Sequence, residues 1–68
     1  MPHIDGEKLR RLRDEKYLSH RELASRAGVS PTTVNNLELG KGGRESQRRT
    51  VRKLAEALGV EPAELVGD

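Results

Sequence analysis

Cysteine, tryptophan and phenylalanine are absent from this 68-residue sequence, and Tyr17 is its one aromatic residue. Without cysteine there is no disulfide framework and no thiolate metal site, a composition suited to a reducing compartment. No apolar run is long enough for a signal peptide or a membrane span, so the cytoplasm is the expected location. The shortage of aromatics also removes the large anchors that protein interfaces favour. Leu, Ile, Val and Phe together make up roughly a fifth of the chain, close to the composition of disordered segments. Their strong periodicity nevertheless argues for a fold. At this length the expectation is a single domain, 1–68, near the lower end of what one core can stabilise without staples.

The net charge of +2 says little about partners, but its distribution says more. Residues 41 to 53 carry six Lys or Arg (Lys41, Arg44, Arg48, Arg49, Arg52, Lys53) against one Glu. Arg10, Arg11 and Arg13 form a second cluster. Separated charge of this kind suggests a basic face for a polyanion, although a solvated surface would look similar.

The stretch from Ser19 to Glu38 organises the rest. Ser19 and Glu22 form an S-x-x-E capping box, so a helix is predicted from residue 20, with Leu23, Ala24 and Ala27 on one face. Gly28 stops it, because glycine adopts the left-handed conformation without strain. Ser30 caps a second helix whose first turn accepts Pro31, and Val34 and Leu37 turn that helix back toward the first. Two helices joined by so short a turn cross steeply, and the small Ala24 lets their backbones approach.

The same local rule recurs along the chain. An apolar residue precedes a cap and another follows it: Ile4 and Leu9, Leu18 and Leu23, Val29 and Val34, Val60 and Leu65, with caps at Asp5, Ser19, Ser30 and Glu61. This hydrophobic staple sets the angle at which the chain enters each helix. Helix 1 is predicted from about Asp5 to Lys16, helix 4 from a cap at Ser46 through Val51, Leu54, Ala55 and Leu58, and a last short helix from Glu61 to about Val66. Helix 4 is the one start without a staple, which suggests a 41–47 loop that settles only against a ligand. No strand or repeat is evident, and the expectation is an all-α, compact five-helix bundle.

The spacing of Leu23, Ala24, Gly28, Val29, Val34 and Leu37 resembles the helix-turn-helix of phage repressor and Cro-like DNA-binding domains (the xenobiotic-response-element type, lambda-repressor-like). Leu9 to Arg13 and Leu54 to Val60 extend the match over nearly the whole chain. The resemblance implies a sequence-specific double-stranded DNA-binding protein, a bacterial or phage transcriptional regulator, with residues 31–38 as the helix that enters the major groove. The residues agree. No charge occurs from Val29 through Leu37, and the period leaves Thr32, Asn35, Asn36 and Leu39 on the face away from Val34 and Leu37. Asn can pair with adenine, and Thr or Pro carbons can touch a thymine methyl. The expected base contacts are Pro31, Thr32, Asn35 and Asn36. Phosphate contacts are expected from Arg13, Ser19, His20, Ser30, Thr33, Lys41, Arg44 and Arg48. Family resemblance also pairs Arg13 with Glu38, expected here as an exposed pair that orients more than it stabilises. Tyr17 stands where the family usually has glycine. It is expected to cover the core edge, with a dimer contact or a phosphate contact as alternatives. Leu39 could touch a thymine methyl, meet a second subunit, or simply be exposed.

Such domains usually act as dimers on half-sites about one helical turn apart. A homodimer on a pseudo-palindromic operator is therefore expected, formed through helix 4 or 5 (Val60, Val66 or Leu39) or only on DNA. His3 and His20 share no metal-ligand spacing, and so small a chain offers no evident pocket for catalysis. No catalytic residue, metal, cofactor or small-molecule ligand is expected. The rival reading is an antitoxin-like or accessory protein-interaction module on the same fold.

Overall fold

The computed structural model describes residues 4–41 and 48–67. Among the described residues four α-helices follow one another: α1 Gly6–Glu15, α2 His20–Ala27, α3 Pro31–Glu38 and α4 Arg48–Leu58. A single 3-10 turn, Pro62–Glu64, stands where a fifth helix was expected. The cap proposed at Ser46 lies outside the described residues.

Each start among the first three helices is built as the local chemistry dictates. Asp5 accepts from the backbone N–H of Glu7 and Lys8. Ser19 Oγ accepts from Glu22 N at 3.0 Å while Ser19 N donates back to Glu22 Oε1 at 2.9 Å. Ser30 Oγ accepts from Thr33 N at 3.1 Å. The staple residues of all four starts lie in the core or against it. Leu9, Leu23, Val34, Leu37, Leu54, Leu58 and Leu65 are its largest fully buried members, drawn from all four α-helices and, with Leu65, from the residue after the 3-10 turn. α2 packs on α3 and α4, α1 on α3, and α4 on the 3-10 turn. Ala24, on the buried face of α2, has 1% of its surface exposed.

The helices end alike. After α2, Gly28 N donates to Ser25 O and Val29 N to Ala24 O, with Gly28 at φ 73°. Gly40 and Gly59 carry the same paired bonds after α3 and α4. After α1 the equivalent bonds run from Tyr17 N to Asp14 O and from Leu18 N to Arg13 O, so Tyr17 occupies the left-handed position at φ 55°. This conformation turns the side chain outward. Tyr17 is 93% exposed and does not cover the core edge, contrary to expectation.

The chain ends meet through backbone bonds. Ile4 and Val66 form an isolated antiparallel bridge, Asp5 N donates to Leu65 O at 2.8 Å, and Lys8 Nζ reaches Val66 O at 3.2 Å. These contacts explain the missing fifth helix. Leu65 must enter the core while its carbonyl serves Asp5, leaving room for one turn only. Gly6 marks the other close approach: a Cβ there would meet the carbonyl groups of Leu37 and Glu38, so α1 begins against the last turn of α3.

Candidate nucleic-acid interface

The α2–α3 corner divides α3 into two faces. Val34 and Leu37 are buried, whereas Pro31, Thr32 and Asn35 are exposed and Asn36 is half-buried. Leu39, the C-cap, continues the outer face and is 59% exposed. Ser30 and Thr33 lie at the same helix start, their hydroxyl oxygens 2.8 Å apart. Lys41 is exposed just past α3, its backbone N–H donating to Asn36 O at 2.8 Å. Arg48 is exposed at the first described residue of α4. Arg44, also expected to meet phosphate, lies outside the described residues, as does most of the 41–47 loop.

Beside this face, three side chains converge. Glu38 Oε2 accepts from Arg13 Nε at 2.6 Å and Oε1 from Arg13 Nη2 at 3.1 Å. Arg13 Nη1 donates to Leu18 O at 2.7 Å, and Asp14 lies 3.4 Å from the same nitrogen. His20 Nε2 lies 3.1 Å from Glu38 Oε1. The Arg13 and Glu38 side chains are only 12% and 6% exposed, so the pair is largely buried, not the exposed pair expected. The reason is geometric: α1 begins hard against the end of α3 at Gly6, and the two helices pack together around the pair. Burial works against the charge of Glu38, but hydrogen bonds from Arg13 and His20 outweigh it and hold the carboxyl below the ordinary glutamate range. The bond to Glu38 in turn raises Arg13.

Of the expected phosphate contacts, Ser19 and His20 sit together at the start of α2, with His20 half-exposed. Arg13 offers little surface, because Glu38 and the Leu18 carbonyl occupy most of its donors. Sequence reasoning missed two features. The Gly6 contact had one signal, a poor helix former directly after a good cap. The His20–Glu38 contact had none, since the two residues meet only when α2 and α3 fold together. Val60 and Val66 are half-buried against the core, while Leu39 projects outward. Among the described residues no group of three or more His, Cys, Asp or Glu is placed to hold a metal ion. No described helix is long and apolar enough to cross a membrane.

A family model for a helix-turn-helix domain matches residues 6–66. The chain belongs to that family. This helix-turn-helix domain is 44% identical over 55 residues to the HTH-type transcriptional repressor RghR of Bacillus subtilis, covering 81% of the chain and 40% of the repressor. It is 39% identical over 66 residues to the HTH-type transcriptional regulator y4dJ of Sinorhizobium fredii, covering 97% of the chain and 83% of the regulator. Among solved structures it resembles the restriction-modification controller protein C.AhdI of Aeromonas hydrophila, with a TM-score of 0.77, 39% identity, and coverage of 87% and 86%. It also resembles hydroxypropylphosphonic acid epoxidase from S. wedmorenis, with a TM-score of 0.80 and 32% identity over 91% of the chain. The domain spans only 32% of that enzyme. The helix-turn-helix fold thus occurs within an enzyme as well as in regulators, and the surface of α3 has to carry the functional argument.

Proposed function

We propose that this domain binds double-stranded DNA in a sequence-specific manner and acts as a transcriptional regulator, in keeping with the regulators it resembles. One observation carries the reading. The outward face of α3 offers Pro31, Thr32, Asn35 and part of Asn36 with no charged side chain among them. A merely solvated face would be expected to carry Lys or Glu; hydroxyl and carboxamide groups suit base edges in the major groove. In this arrangement α3 lies in the groove. Ser19, His20, Ser30 and Thr33 at the starts of α2 and α3, with Lys41 and Arg48 beyond, face phosphates; Arg44, outside the described residues, is the remaining phosphate contact expected from the sequence. Arg13 acts chiefly through Glu38. The charge-free tip favours direct readout, and the basic flanks supply salt-dependent affinity.

The expected assembly is a homodimer on a pseudo-palindromic operator. Leu39, exposed beside the reading face, and the surface of α4 are its available contact regions. Selection of duplexes from a random pool tests specificity, symmetry and half-site spacing together. A recovered consensus whose affinity falls steeply with added salt supports the reading. Failure to enrich any sequence, with salt-insensitive capture of a protein partner, would favour the interaction-module alternative.

A further inference from the structure

The contact between His20 and Glu38 gives the proposed DNA site a feature that its other polar groups lack. Glu38 is held as a carboxylate by Arg13, and a carboxylate can only accept hydrogen bonds. The ring nitrogen 3.1 Å away, His20 Nε2, must therefore carry its proton. In the neutral ring this leaves Nδ1 with a lone pair and no proton. A phosphate oxygen also only accepts, so it has nothing to bond there until the ring gains a second proton.

We infer that Glu38 positions His20 as a proton-gated phosphate contact, so that DNA binding takes up a proton at Nδ1 and strengthens as pH falls. The step is balanced: one solvent proton joins Nδ1, and the resulting N–H donates to a phosphate oxygen while Nε2–H stays on Glu38. The inference rests on the proposed reading of α3 as the DNA-facing helix. The groups around the ring support it. Glu38 from α3 faces the ring, and Arg13 from α1, the nearest cation, is itself paired with Glu38 and Asp14. On α2, Arg21 and Glu22 follow His20 in sequence, and Glu22 is engaged with Ser19. Among the described residues no ion pair or hydrogen bond joins the ring to α4, which also packs on α2. Half-exposed, with its side chain 37% accessible, the ring is open to both solvent and a ligand.

The test titrates a pool-selected duplex with the full chain and with His20→Gln, at fixed salt, across the histidine range of about pH 5 to 8. Calorimetry in two buffers of different ionisation heat counts protons. For the natural chain, affinity should fall by up to about tenfold per pH unit over part of that range, with uptake approaching one proton per bound chain. His20→Gln should show a flat profile and no uptake there, whatever its affinity. His3 is present in both proteins, so the difference reports His20 alone. The salt slope of the natural chain should also be steeper at low pH by about one released counterion. Matching pH profiles for the two proteins would overturn the inference while leaving the DNA reading standing. If neither protein bound any duplex at any pH, both would fall. Nitrogen NMR of the free protein adds a check independent of DNA, because a neutral ring protonated at Nδ1 would overturn the inference.

Discussion

Gly6 abuts Glu38: a methyl group on its Cα would collide with the Glu38 carbonyl and come within 2.7 Å of that of Leu37. The obstacle is backbone, which cannot swing aside as a side chain could. Helix propensity alone would favour alanine at this position. Gly6→Ala should instead destabilise the fold by about 1 to 3 kcal/mol, the usual range for overpacking, as read by urea or thermal unfolding. A neutral or stabilising effect would mean that α1 and α3 are less tightly apposed.

Arg13 and Glu38 sit between the extremes known for ion pairs. Exposed pairs contribute about 0 to 1 kcal/mol, and removing one partner of a fully buried pair costs about 3 to 5 kcal/mol. With side chains 12% and 6% exposed at the edge of a small domain, Glu38→Gln should cost about 2 kcal/mol. It should lower the melting temperature and also weaken DNA binding by freeing Arg13 and His20. A loss of affinity with unchanged melting would restore the purely orienting role expected of an exposed pair.

Acid should reveal the same carboxylate. Its folded pKa lies below its ordinary value, so its stabilisation is complete above the unfolded pKa and is lost as pH falls through the folded one. Stability of the natural chain should therefore decline below about pH 4, and the decline should be shallower in Glu38→Gln. Parallel curves for the two proteins, measured by urea midpoints, would rule out Glu38 as a source of acid sensitivity.

The face of α3 can be tested without disturbing the core. Thr32→Ala and Asn35→Ala alter exposed side chains, so melting should hardly change. If they read bases, each should lose about 1 to 3 kcal/mol of discrimination at one base pair of the selected site. Lys41→Ala should instead weaken all sequences alike and lower the salt slope by about one. Equal losses on every sequence from Thr32→Ala and Asn35→Ala would make them positioning contacts only.

Tyr17 holds a left-handed conformation with its side chain in solvent. A left-handed residue other than glycine costs roughly 1 to 2 kcal/mol, and part of that gain is offset by the greater freedom of an unfolded glycine. Tyr17→Gly should therefore raise stability by about 0.5 to 1 kcal/mol. A decrease in melting temperature would show that the ring makes a stabilising contact.

The starts of α1, α2 and α3, the stop at Gly28, the α2–α3 corner, and the inward faces of the four α-helices were legible in the sequence. The reason is range: a cap, a staple or a terminating glycine finds its partner within a few residues, so local composition determines it. Ser19 with Glu22, and Ala24 before Gly28, illustrate this directly. Only tertiary structure decided that α1 starts hard against α3 at Gly6, that Arg13 and His20 share Glu38, that Tyr17 turns outward, and that Leu65 ends the chain's helical course by serving Asp5. Most of these are contacts between groups distant in sequence; Tyr17's outward turn, set by the left-handed backbone that closes α1, is the exception. Hydropathy and spacing carry no signal for a carboxylate whose donors arrive from two other helices, because their meeting depends on how closely the backbones pack.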